Sequence, residues 1–192
     1  MEIKEFSLNY LNGLKKVMDD LPLTIFEQIV NLLVAAYGED RNIFVMGNGG
    51  SGTTASHFAC DINKGVCFGL EKRFKVICLN DNIPIILAYS NDNSYEEIFL
   101  EQLKNFLKKG DIVIGISSSG NSPNVLKAIE YAKGKGAKTV GLSGLDGGKL
   151  AELADLSLVI RINDIQKTED IHFIITHMIM QILYRKLRES TE

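Results

Sequence analysis

The sequence predicts an α/β fold: a three-layer sandwich with a five-stranded parallel sheet, preceded by an N-terminal helical pair. Three observations predict it. Short runs rich in Val and Ile recur at 42–46, 73–79, 111–116, 138–142 and 156–160 with little polar alternation, as in strands buried on both faces. Stretches of helical period separate these runs, the order of βαβ units. Polar turns rich in glycine and serine follow the first and third runs, where ligands of such sheets bind.

Residues 1–37 carry apolar residues at helical spacing, first Leu8, Leu11, Leu14, Val17 and Met18, then Ile25, Ile29, Leu32, Leu33 and Ala36. Pro22 breaks the pattern, so two helices are expected. A helical pair outside an α/β core has a face left to bury, and a partner subunit commonly covers it. The alternation then begins. Strand 42–46 leads into helix 51–63, strand 73–79 into a short helix 84–89 and a longer one at 95–108. Strand 111–116 leads into helix 122–133, strand 138–142 into a short helix 148–154, and strand 156–160 into a closing helix 168–187. The loops 47–51, 80–93, 117–122 and 143–147 then share the rim at the strands' carboxyl ends. No repeat or linker divides the chain, so one domain is expected over 1–192, with helices at 1–37 and the α/β core at 42–190.

With 192 residues, 45% hydrophobic and 23% charged, the chain can bury one substantial core. A net charge of −3 argues against bulk nucleic-acid binding. Three cysteines, an odd number without paired spacing, fit a reducing compartment. Cys60, Cys67 and Cys78 sit beside apolar residues and are read as small core residues. Residues 1–20 form no signal peptide, and no apolar run reaches the ~18 residues that span a bilayer. A cytoplasmic protein, with no membrane partner, is expected.

Two turns carry the chemistry. In Gly47-Asn48-Gly49-Gly50-Ser51-Gly52 the glycines let backbone approach a ligand, and the N–H groups of the following helix form an anion site. The turn lacks the Gly-Lys-Ser/Thr ending of nucleoside-triphosphate loops and the third glycine of the dinucleotide fingerprint. His57 and Asp61 follow one helical turn apart, about 40° around the axis. The second turn is Ser117-Ser118-Ser119-Gly120-Asn121-Ser122-Pro123. Pro123 at the first helical position makes Ser122 the expected N-cap, leaving three surplus serine hydroxyls suited to a phosphate monoester. This second turn holds no lysine or arginine, so neutral dipoles and hydroxyls would hold the anion.

Gly47-Asn48-Gly49-Gly50-Ser51, His57-Phe58-Ala59, Ser90-Asn91-Asp92, the serine-rich turn and Leu145-Asp146-Gly147-Gly148 together resemble the sugar-isomerase (SIS) fold. Within it, the chain is similar to the phosphoheptose isomerases, also called sedoheptulose 7-phosphate isomerases, from about residue 5 to 187. The resemblance implies a flavodoxin-like sheet and a homotetramer with active sites between subunits. It implies a reaction that interconverts sedoheptulose 7-phosphate and glycero-manno-heptose 7-phosphate, supplying heptose for a surface glycan. By the same resemblance, Ser51, Ser117, Ser118, Ser119 and Ser122 hold the phosphate, while Asn48, Gly49, Gly50, Asn91 and Asp92 contact the sugar. Asp61 and His177 are the acid–base pair, and His57, Asp61, Glu169 and His177 hold a divalent metal, zinc first. Two residues depart from the family's pattern. Asp61 stands where a glutamate is usual and Glu169 where a glutamine is usual, so the donor set carries a second carboxylate.

Ketose–aldose isomerisation needs a base over a C–H bond and an acid at the neighbouring oxygen, which suit Asp61 and His177. Glu169 and His177, about 80° apart on the last helix, can face one cleft, whereas His172 is about 140° from His177. For His177 alone, a hydrogen-bonded core histidine is the competing reading. Two other functions stay open: isomerisation of a different sugar phosphate, and a non-catalytic module that binds phosphosugars or proteins.

Overall fold

The computed structural model describes residues 2–189. Helices α1 (Ile3–Asp19) and α2 (Leu23–Gly38) come first, joined across Pro22. The alternating region is β1 (Asn42–Gly47), α3 (Gly49–Cys60), β2 (Lys75–Cys78), α4 (Ile83–Asp92), α5 (Ile98–Phe106), β3 (Ile112–Ser117), α6 (Pro123–Gly134), β4 (Lys138–Gly144), α7 (Gly148–Leu153), β5 (Leu156–Ile160) and α8 (Ile165–Glu189). A π-helical turn, Asp61–Val66, extends α3, and a 3₁₀ turn, Tyr95–Glu97, leads into α5.

The five strands form one parallel sheet in the order β2-β1-β3-β4-β5, with Val45 opposite both Cys78 and Ile114. Side chains alternate across it, so each face owns a core. Ile43 and Val45, Ile112 and Ile114, and Val140 and Leu142 pack with Phe26, Ile29, Phe58, Ile175 and Ile179 of α2, α3 and α8. Phe44, Met46 and Val113 face Phe99, Leu103, Val125, Ile129 and Leu150 of α5, α6 and α7. This is the expected three-layer arrangement. Because α3 leaves β1 toward one face and α6 leaves β3 toward the other, a crevice opens between two neighbouring strands at their carboxyl ends. The glycine-rich and serine-rich turns lie on either side of it.

Several element ends differ from the sequence reading. β3 and β4 run on through Ser117 and through Ser143 and Gly144, because parallel neighbours supply backbone partners for small polar residues. β2 is shorter, four residues from Lys75. α8 starts at Ile165, where the Asp164 carboxylate accepts the Lys167 N–H at 3.1 Å, a capping contact. Asn91 and Asp92 belong to the end of α4 rather than to a loop. Cys67 and Cys78 are buried, but Cys60 is exposed, since it ends α3 on the side away from the sheet.

α1 buries none of its 17 residues. Ile3, Phe6, Leu8 and Leu11 stay exposed. Tyr10 ties it to α8: its hydroxyl donates to Asp170 Oδ2 at 2.6 Å, and Lys167 Nζ lies 4.3 Å from its ring centre. No single helix among the described residues is long and apolar enough to cross a membrane.

Candidate active site

The turn after β1 is held open by its neighbours. Asn80, just past β2, donates to the Gly47 carbonyl at 2.7 Å and accepts the Gly47 N–H at 3.2 Å. Asn48 occupies the N-cap position of α3 without capping it. Its amide instead exchanges two hydrogen bonds with Asn124 of α6, at 2.8 and 2.9 Å, and its oxygen also accepts the Tyr95 hydroxyl at 2.9 Å. The first N–H groups of α3 are left for a ligand. Asn124, Asn80 and Tyr95 were not singled out by the sequence. Asn124, a polar residue in the first turn after a serine-rich loop, carried the only signal.

The serine-rich turn comes alongside. Ser51 Oγ lies 3.5 Å from Ser118 Oγ, so the two turns meet. Ser122 occupies the N-cap position of α6 as expected, but its hydroxyl pairs with Ser117 Oγ at 3.0 Å instead of capping. Ser119 Oγ accepts the Asn121 N–H at 3.2 Å. Ser51, Ser117 and Ser118 are buried. Gly120 has φ +66°, and a Cβ there would run into the Gly147 carbonyl, so the turn is seated on the loop after β4. Two helix starts and a set of hydroxyls thus face one crevice, an arrangement of dipoles and hydrogen-bonding groups suited to an anion.

A second cluster lies further along α3. His57 Nε2 is 3.0 Å from His177 Nε2 and 3.3 Å from Asp61 Oδ2, and His177 Nε2 is 3.6 Å from the same oxygen. Asp61 opens the π-helical turn, a distortion often found at functional sites. The Phe173 ring lies 4.6 Å from each imidazole, measured between ring centres, tilted against His57 and edge-on to His177. The side chains of His57 and His177 are 40% and 41% exposed. His177 is therefore not the core histidine of the competing reading.

These three donors suit a divalent metal. Asp61 Oδ2 is buried without a hydrogen-bond partner, and two ring nitrogens at 3.0 Å need a proton or a cation between them. A tetrahedral zinc with bonds of about 2.0–2.1 Å separates its ligand atoms by about 3.3 Å, the middle of the three distances found. The residues fit the group.

Within one chain Glu169 stands apart from this cluster. It shares a side of α8 with His177, but eight residues of rise separate the two by about 12 Å. Its carboxylate lies against Gly50 instead, where an added Cβ would come within 2.7 Å of Oε1. Asn91 and Asp92 are exposed and hydrogen-bond each other at 2.8 Å. His172 points away from the cluster, as its helical angle predicted. It is buried, its Nε2 lies 3.2 Å from the Ser143 carbonyl, and burial pushes its pKa down to about 4.

The SIS domain family matches residues 9–144. A phosphoheptose isomerase of Helicobacter pylori is 37% identical over 183 residues, covering 95% of this chain and 93% of that protein. This chain belongs to the phosphoheptose isomerase family. Another phosphoheptose isomerase, of a Geobacter species, is 40% identical over 162 residues, 84% of this chain and 83% of that protein. Among solved structures, a phosphoheptose isomerase from Francisella tularensis superposes with a TM-score of 0.89 at 26% identity, covering 96% of this chain and all of that one. Like the rest of the family, this chain is an isomerase built on a SIS domain, and a phosphosugar is its class of substrate.

Proposed function

We propose that this phosphoheptose isomerase interconverts sedoheptulose 7-phosphate and D-glycero-D-manno-heptose 7-phosphate by proton transfer through an enediol. One observation carries the reading: Asp61 and His177, 3.6 Å apart, lie beside a separate cluster of serine hydroxyls that can hold a phosphoryl group. Ser51 to His57 is six residues of helix, a rise of about 9 Å. A substrate held at both ends must be long, and a seven-carbon chain phosphorylated at its far end has that reach.

In this reading Ser51, Ser117, Ser118, Ser119 and Ser122 grip the phosphate with the first N–H groups of α3. Asn48, Gly49, Gly50, Asn91, Asp92 and Glu169 line the path of the hydroxylated chain. Asp61 removes the proton from the carbon beside the carbonyl. His177 gives a proton to the carbonyl oxygen and takes one from the adjacent hydroxyl, and the return of the carbon proton completes the isomerisation. His57, Asp61 and His177 would hold a divalent cation, zinc first, which would supply positive charge to polarise the substrate's oxygens. Glu169 joins that set only if assembly brings another chain's α8 to the cluster.

The same reading makes the enzyme a cytoplasmic homotetramer with its sites between subunits. The exposed apolar face of α1 and the half-exposed imidazoles support it, because both leave surface for a neighbouring chain to cover. The test is conversion of sedoheptulose 7-phosphate, followed by mass spectrometry and NMR of the product, with metal content and molar mass measured on the same sample. Binding of the sugar phosphate without turnover would refute the isomerase reading.

A further inference from the structure

We infer that His172 is a positioning residue for the phosphate grip, acting through the Ser143–Gly144 peptide. This rests on the reading that the serine-rich turn holds phosphate. His172 lies one turn past Glu169 on α8 and is 1% exposed. The Ser143 carbonyl can only accept, so the proton of the neutral imidazole sits on Nε2 and is donated across 3.2 Å. Nδ1 is then bare, and it is buried without a partner. An unsatisfied nitrogen in a core is costly, and an aliphatic side chain would fill the same space without that cost. What the imidazole adds is one directed bond to the end of β4.

That bond reaches the phosphate turn in one further step. The next residue, Gly144, donates its N–H to the Ser118 carbonyl at 3.0 Å. Thr168 of α8 presses on the same glycine, where an added Cβ would stand 2.6 Å from Thr168 Cγ2 and 2.8 Å from the Ser118 carbonyl. The peptide is therefore fixed from one side by α8 and presents its N–H to Ser118 on the other. Ser117 lies opposite Ser143 in the sheet register. Through His172, the helix that carries Glu169 and His177 also sets the height of the serine hydroxyls.

The test uses the full-length enzyme, with inorganic phosphate as the probe in titration calorimetry and with steady-state kinetics alongside. His172→Leu is expected to weaken phosphate binding and raise KM by about tenfold, the loss of one directed bond, with kcat within about threefold. His172→Gln, whose side-chain Nε2 reaches where the imidazole Nε2 lies, returns both to within about threefold of wild type. Wild-type phosphate affinity in His172→Leu, or a His172→Gln as weak as the leucine variant, overturns the inference. If His172→Leu does not fold, ¹⁵N NMR of the wild-type protein decides. The His172 Nε2–H resonance shifts as phosphate is added, and a resonance that stays put overturns the coupling. Wild-type enzyme that turns over but binds no phosphate would remove the reading of the turn itself, and this inference with it.

Discussion

His57 Nε2 faces His177 Nε2 at 3.0 Å, with Asp61 Oδ2 beyond hydrogen-bond geometry but within 3.6 Å of both. A single proton shared between the two facing nitrogens joins the rings in one hydrogen bond but leaves Asp61 Oδ2 unpaired, whereas protons on both or on neither set like groups against each other. A buried carboxylate oxygen without a donor adds to the imbalance. One cation resolves all three. Purified enzyme is expected to contain about one zinc per chain, and His57→Ala to weaken its retention at least tenfold against a competing chelator. Mass-spectrometric metal analysis checks this. Full metal content in His57→Ala would remove the cluster from consideration as a metal site.

In the proposed mechanism Asp61 has a separate duty at the carbon proton. Asp61→Asn keeps the volume and loses the base, and general-base losses run at about 10²–10⁴-fold. A fall in kcat of that order is expected, with inorganic phosphate still bound, because Ser51, where the serine-rich turn meets α3, lies nearly three helical turns away, about 15 Å. Calorimetry beside turnover separates the two effects. A variant with wild-type kcat would assign the proton transfer elsewhere.

Most of the layering was legible because apolar β-branched runs and helical periods are local signals. β5 ends where the sequence placed it, at Leu156–Ile160. Two kinds of feature were not legible. The π-helical turn at Asp61 depends on backbone bonds among six residues that follow no local pattern marking a π turn. The supports of the site, Asn124 and Tyr95 on Asn48 and Asn80 on Gly47, are contacts between elements far apart in sequence. A helical wheel put Glu169 and His177 on one side, but it records angle and not rise, so it missed their separation along α8.

Gly120 is the position where an added Cβ would meet the closest obstacle in the serine-rich turn. It holds φ +66°, and a Cβ would meet the Gly147 carbonyl, backbone that cannot swing away. Gly120→Ala is expected to cost about 2–4 kcal/mol, from strain at positive φ together with a displaced loop. Urea unfolding monitored by circular dichroism measures the cost. Gly50→Ala makes the contrast. There the added Cβ meets the end of the Glu169 side chain, which can rotate aside, so stability should hold within about 0.5 kcal/mol while kcat/KM falls.

Stability should also depend on pH through His172. Its folded pKa, about 4 because of burial, lies below the usual histidine value of about 6.5. The unfolded chain therefore binds the extra proton first as pH falls. The contribution is fully present above pH ~6.5 and is lost progressively between ~6.5 and ~4, amounting to about 3 kcal/mol in total. Carboxylates titrate over part of the same range, so the quantity to read is the difference between wild type and His172→Gln. Urea unfolding at pH 7 and pH 4.5 is expected to show a smaller drop for the variant, by about 2 kcal/mol. Equal drops would mean that His172 takes up its proton without unfolding, which would require an acceptor for Nδ1 in the folded protein.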